Sequence, residues 1–178
     1  MYKRNERLLL DPMTTLTHAD GTWTLRGTDS LNLELTVAPL LGGIEFDKVD
    51  GAANTVYAGI FRTAVIDLSG CDAEDRVVWL ANAKAGPSGE ELVSTWLRLG
   101  TSAANYVQWS FLKASMTAGR FNLCSVPIGN GVPAGAGVSD WSALTYISAG
   151  FEFAAEGNAL ADIIIGQISV RASFFSQT

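Results

Sequence analysis

From Thr22 onward the chain reads as short apolar runs of period two, broken at short intervals by Gly, Asn, Asp, Ser or Pro. Leu31, Leu33, Leu35 and Val37 alternate with Asn32, Glu34 and Thr36, the pattern of a strand with one buried face. Trp23 and Leu25 suit a strand before it, and Ile44-Glu45-Phe46 a short one after it, ending at the Asp50-Gly51 turn. Tyr57 to Asp67 predicts a long strand of small and β-branched residues. Arg76 to Leu80 is apolar almost throughout, as in a strand covered on both sides. Val93 to Leu99, Tyr106 to Phe111 and Phe121 to Val126 follow. Leu144 to Phe153 places Thr145, Ile147, Ala149, Phe151 and Phe153 on one side, and Asp162 to Val170 closes the series. The stretch Trp96 to Asn122 sets the layout: strand, Gly-Thr-Ser turn, strand, then the corner Ala118-Gly119-Arg120-Phe121-Asn122. No segment carries the 3.6-residue period of a long amphipathic helix. About nine or ten strands with frequent turn signals predict an all-β, antiparallel two-sheet sandwich.

The 178 residues suit one domain, and 48% hydrophobic against 17% charged residues supplies an ample core. Net charge is -6, which excludes the clustered basic footprint of a nucleic-acid binder. The basic residues gather instead at the start. Lys3, Arg4 and Arg7 precede Leu8-Leu9-Leu10, Pro12 and the only histidine, His18, in a stretch without clear periodicity. This divides the chain into an extended N-terminal arm (residues 1–21) and a sandwich (residues 22–178), the arm being expected to anchor on a partner surface, a neighbouring chain by preference. The leucine run is too short for a signal peptide, and no run approaches a membrane span. Two cysteines, Cys71 and Cys124, make no disulfide framework and are read as free thiols; spacing alone does not decide whether they pair.

Reacting groups are scarce. His18 lies in the arm, so neither a Ser/His/Asp triad nor a Cys/His pair has its base inside the sandwich, and zinc lacks ligands. The Gly129 to Ser139 segment is glycine-rich but has no Lys-Ser/Thr ending and no following helix, so it is not a phosphate loop. Glu45 and Asp47 would share one strand face, as glycosidase acids can. Asp50 falls in the turn, however, and a solvent-facing edge strand is the simpler reading. Asp67, Asp72, Glu74 and Asp75 concentrate acids in one loop and are candidates for a structural calcium; no other cofactor is implied. Of the aromatics, Trp109 belongs with the core. Trp96, Arg98, Tyr106 and Gln108 run in the opposite phase and could present an amphipathic surface to a glycan or a protein.

The order of these segments resembles the galactose-binding-domain-like jelly rolls, found in carbohydrate-binding modules and in phage tail, fibre and head-appendage proteins. The residues that carry it are Ser30-Leu31-Asn32-Leu33, Ile66 to Gly70, Val78-Trp79-Leu80, Asn105 to Trp109, the corner at Gly119, Asp140-Trp141-Ser142 and Asp162-Ile163-Ile164. The corner departs from the common Gly-Trp-Asn, being one residue longer with Phe121 for Trp. The resemblance implies a jelly-roll sandwich, adds Asp162 to the calcium candidates, and favours no enzyme. It implies a structural virion subunit, joined to other virion proteins and to copies of itself through Lys3, Arg4, Arg7, Leu8, Leu9 and Leu10. The alternative it implies is a carbohydrate-binding module or receptor-binding lectin.

Overall fold

The computed structural model describes residues 8–27, 30–37, 42–49, 56–83, 92–154 and 159–173. In chain order the strands are β1 (Leu8–Asp11), β2 (Thr17–His18), β3 (Gly21–Thr22), β4 (Thr24–Leu25), β5 (Ser30–Val37), β6 (Gly42–Lys48) and β7 (Val56–Ile66). There follow β8 (Arg76–Asn82), β9 (Leu92–Gly100), β10 (Tyr106–Leu112), β11 (Asn122–Pro127), β12 (Val132–Ala134), β13 (Leu144–Phe153) and β14 (Leu160–Arg171). Two antiparallel sheets form the sandwich. The first runs β11-β8-β14-β6-β5, with β1 pairing on β14 beyond the end of β6; the second runs β12-β10-β9-β13-β7-β4. The non-sequential order makes this a jelly roll rather than a meander.

Between the sheets lie Ile44, Phe46, Trp79, Ala81, Ile163, Ile165 and Ile168 from the first and Ile60, Leu97, Leu99, Trp109, Ile147, Phe151 and Phe153 from the second, all within one core. A hydrogen bond crosses that core: Trp79 Nε1 donates to Thr95 Oγ1 at 3.1 Å, and the threonine donates on to the Gly150 carbonyl at 2.9 Å. The indole therefore buries its ring without leaving its one polar atom unpaired.

Three expectations change. The stretch assigned to a separate arm is part of the sandwich from Leu8. Leu8 and Leu9 pair with Val170 and Ser169, and Leu8 and Leu10 pack against the core. Asp11 explains why. Its fully buried carboxylate accepts from Met13 N at 2.7 Å, Trp23 Nε1 at 3.1 Å and Arg62 Nε at 2.9 Å. Arg62 also reaches Asp20 at 2.8 Å and stacks over Trp23. Lys3, Arg4 and Arg7 lie outside the described residues.

Second, β6 is not an edge strand, because β5 covers its outer side. Asp47 accepts from Asn32 Nδ2 and from the Asp162 amide at 2.9 Å, a bracing role. Third, the β5 alternation breaks. Asn32 adopts φ 53° and the register moves between Leu31 and Glu34. Leu31 comes to face outward opposite Asp47, whereas Leu35 lies opposite core residue Ile44. A comparable shift between Leu144 and Tyr146 exposes Thr145 and buries Leu144 in its place.

Candidate functional site

The outer face of the second sheet carries a group of side chains that belongs to neither core nor ordinary surface. Its residues fall into rows fixed by register. Leu112, Ser94, Glu152 and Tyr57 form the first; Ser110, Trp96, Gly150 and Gly59 the second. Gln108, Arg98, Ser148 and Phe61 form the third, and Tyr106, Gly100, Tyr146 and Thr63 the fourth. Leu97, Leu99, Val107 and Trp109 point into the core, and the opposite phase places Trp96, Arg98, Tyr106 and Gln108 together on the outer face.

The structure does not leave Trp96 as an open platform. It is fully buried on the far side of the sheet from the core, because two glycines let its ring lie flat. A Cβ on Gly59 or Gly150 would come within 2.8 or 2.7 Å of the indole. Above it sit two guanidiniums, Arg98 at 4.2 Å and Arg26 at 5.5 Å from the ring centroid. Arg98 also stacks on Tyr106 at 4.7 Å and Tyr57 at 5.7 Å, and its Nε donates to Gln108 Oε1 at 2.7 Å. Gln108 Nε2 passes the chain to Ser110 Oγ at 3.0 Å.

At the other end, Glu152 accepts from Tyr57 Oη at 3.3 Å and Ser94 Oγ at 2.9 Å. Burial, with the Glu152 charge beside it, raises the Tyr57 phenol above its ordinary value, so it stays a donor. Burial first, then Arg26, lowers Arg98 from its usual value. Trp96 Nε1 and Arg98 Nη1 are buried without a hydrogen-bond partner among the described residues. The face therefore combines five aromatic rings, among them the half-exposed Tyr57 and Tyr106, with carboxylate, amide, hydroxyl and guanidinium groups.

The loop acids do not converge on a calcium. Asp67 Oδ1 accepts from Ser69 N and Oγ, while Asp75 accepts from the amides of Asp72 and Ser173. Glu74 is exposed. Asp162 stands at the start of β14 and Ser173 beyond its end, roughly 30 Å or more apart at the rise of an extended strand. Among the described residues no group of three or more His, Cys, Asp or Glu is gathered to hold a metal ion. Cys71 and Cys124 are free thiols, pushed up to about 11 and about 12, in both cases chiefly by burial. A separate groove of about 620 Å³ opens beside Leu68, Cys71, Val107, Val138 and Trp141. No buried unpaired polar atom lies among its lining residues.

Sequence reasoning missed Tyr57, Arg26, Glu152 and the glycine floor. Glu152 and Gly150 come from β13 beside β9, Tyr57 and Gly59 from β7 one strand further, and Arg26 from just after β4, so only the assembled sheet gathers them. The available signal was the alternation Tyr57, Gly59, Phe61 on a strand whose other phase is Ala58, Ile60.

No family model and no curated protein sequence matches this chain. Solved structures do. A family 11 carbohydrate-binding module from Clostridium thermocellum, in complex with a β-1,3-1,4-mixed-linked tetrasaccharide, superposes with TM-score 0.61 at 9% identity, over 94% of this chain and 96% of that one. A structure of the family 11 module of a cellulosomal cellulase from the same organism gives TM-score 0.63 at 10% identity, covering 95% and 96%. An agarase matches with TM-score 0.57 at 11% identity, over 93% of this chain but 26% of its own. The chain has the jelly-roll sandwich fold of carbohydrate-binding modules. These matches lend the virion role no support.

Proposed function

We propose that this chain is a non-catalytic carbohydrate-binding domain whose ligand lies across the outer face of the second sheet. The observation that carries the reading is the face itself: Tyr57, Trp96 and Tyr106 clustered around Arg98, Gln108, Ser94 and Glu152 on adjacent rows. Sugar rings offer apolar C–H faces to aromatic rings and hydroxyl edges to fixed polar groups. A site for them therefore needs both kinds of side chain in one plane. The core needs neither here. The fold shared with carbohydrate-binding modules is consistent with this use, although many functions occupy one fold.

Binding to a panel of soluble polysaccharides, measured by affinity electrophoresis and calorimetry, tests the reading. The half-exposed Tyr106 should carry stacking without holding the fold. Tyr106→Ala is expected to weaken binding by about tenfold with an unchanged melting temperature, a loss of the size expected for one aromatic contact. Binding to none of the panel, or binding that Tyr106→Ala and Tyr57→Ala both leave intact, overturns it.

A further inference from the structure

We infer that the ligand of this face is an acidic glycan, recognised through a uronate carboxylate seated on Arg98 with Arg26 beside it. The inference rests on the glycan-binding reading above and names the substrate class. Arg98 retains 4% of its surface, yet no carboxylate pairs with it among the described residues. Gln108 takes its Nε, and its Nη1 is enclosed with no acceptor. A buried charge without a counter-ion is costly, and stacking on aromatic rings offsets only part of that cost. The second guanidinium deepens the imbalance. Arg26 flanks the same indole, with its guanidinium in no ion pair or hydrogen bond among the described residues.

The two other arginines shielded from solvent among the described residues are supplied with acceptors. Arg62 is held by Asp11 and Asp20, and Arg76 donates to the Ser125 hydroxyl and carbonyl. The carboxylate of the four rows, Glu152, is turned to Tyr57 and Ser94 instead of to Arg98. Among the described residues, two guanidiniums without a counter-ion flank one ring whose indole N–H has no acceptor, a set of donors short of acceptors. A bound anion supplies it. Net charge -6 argues that attraction to a polyanion here is local to this face and not general.

Geometry favours a carboxylate over a sulfate ester. The guanidinium packs against both rings, 4.2 Å from the Trp96 centroid and 4.7 Å from that of Tyr106. A planar carboxylate can enter in the guanidinium plane and pair side-on, whereas a tetrahedral sulfate is wider. It reaches Arg98 past Tyr106 and Arg26, the half-buried side chains at the rim.

Calorimetry on the full chain with four polymers tests this: polygalacturonate, its fully methyl-esterified form, a mixed-linkage β-glucan and a sulfated galactan. Polygalacturonate is expected to bind about tenfold or more tighter than the methyl ester, the difference one charge-assisted contact makes, and to weaken in about 0.5 M NaCl. Arg98→Met removes the central guanidinium and should abolish the preference. Arg26→Met, which breaks no side-chain hydrogen bond among the described residues, should cut it by a similar factor without changing the melting temperature. Equal binding of the ester or the β-glucan, still lost in Tyr106→Ala, overturns the acidic class and leaves the glycan reading standing. Tighter binding of the sulfated galactan overturns the choice of carboxylate. Binding of no glycan overturns both readings.

Discussion

Asn122 opens β11 at the corner because that position needs a donor and an acceptor on one short side chain. Its Oδ1 accepts from Thr117 N at 2.7 Å, while Nδ2 donates to the carbonyls of Thr117 at 3.0 Å and Arg120 at 2.8 Å. Gly119, at φ 71°, turns the chain between them. Asn122→Ala leaves these backbone groups without their partner and should lower stability by about 1–3 kcal/mol, read from urea unfolding. Asn122→Asp keeps the acceptor but not the donors and should fall between the two; a variant as stable as wild type would show that water replaces the side chain. This corner was legible because its grammar is local: Gly, Asn and two intervening residues. The opposed phases of Trp96 and Trp109 were legible for the same reason, period two being a property of one strand. That Trp96 is roofed by arginines was not, since its cover depends on missing side chains at Gly59 and Gly150 on two other strands.

Among the elements, β1 with the turn to β4 shows how a segment without periodicity can still be structural. Only three leucines mark it, and its anchor is a charge whose partner Arg62 is 51 residues away. Burial of Asp11 cannot be inferred from sequence, because an isolated Asp before Pro normally reads as a turn. The pair holds the segment against β7, yet a buried ion pair is a weak source of net stability and a strong liability when half of it is removed. Asp11→Ala should therefore cost about 3–5 kcal/mol in urea unfolding, with Met13 N and Trp23 Nε1 orphaned besides. Adding Arg62→Met to Asp11→Ala should recover part of that loss by removing the stranded guanidinium. If the double variant is less stable than Asp11→Ala alone, Arg62 stabilises mainly through Asp20 and the Trp23 stack, and the account of Asp11 as its counter-charge fails.

For the molecule as a whole, two charge effects oppose each other as pH falls. Self-repulsion at net charge -6 is relieved toward the pI near 4.7, which favours the compact state. Against it stand carboxylates whose charged form the fold prefers. Burial would raise Asp20, but the Val65 amide at 2.8 Å and the Arg62 guanidinium outweigh it and hold the group below its ordinary 3.8. Ser69 holds Asp67 low through its hydroxyl and amide, and Ser142 does the same for Asp140. A folded value below the unfolded one gives stability that is complete above the unfolded value and is lost as pH falls through the folded one. The repulsion is spread over the surface and screened beyond about 8 Å at physiological salt, whereas the Asp20 contacts are direct. Stability should thus stay level or rise slightly from pH 7 to about 5, then fall below about pH 4 as these carboxylates protonate. Asp20→Asn should be less stable than wild type at neutral pH and should converge with it in acid, read from urea midpoints at matched ionic strength. A gap between the two that persists undiminished to the lowest pH would mean that Asp20 acts by hydrogen bonding alone, its charge contributing nothing to the hold on Arg62.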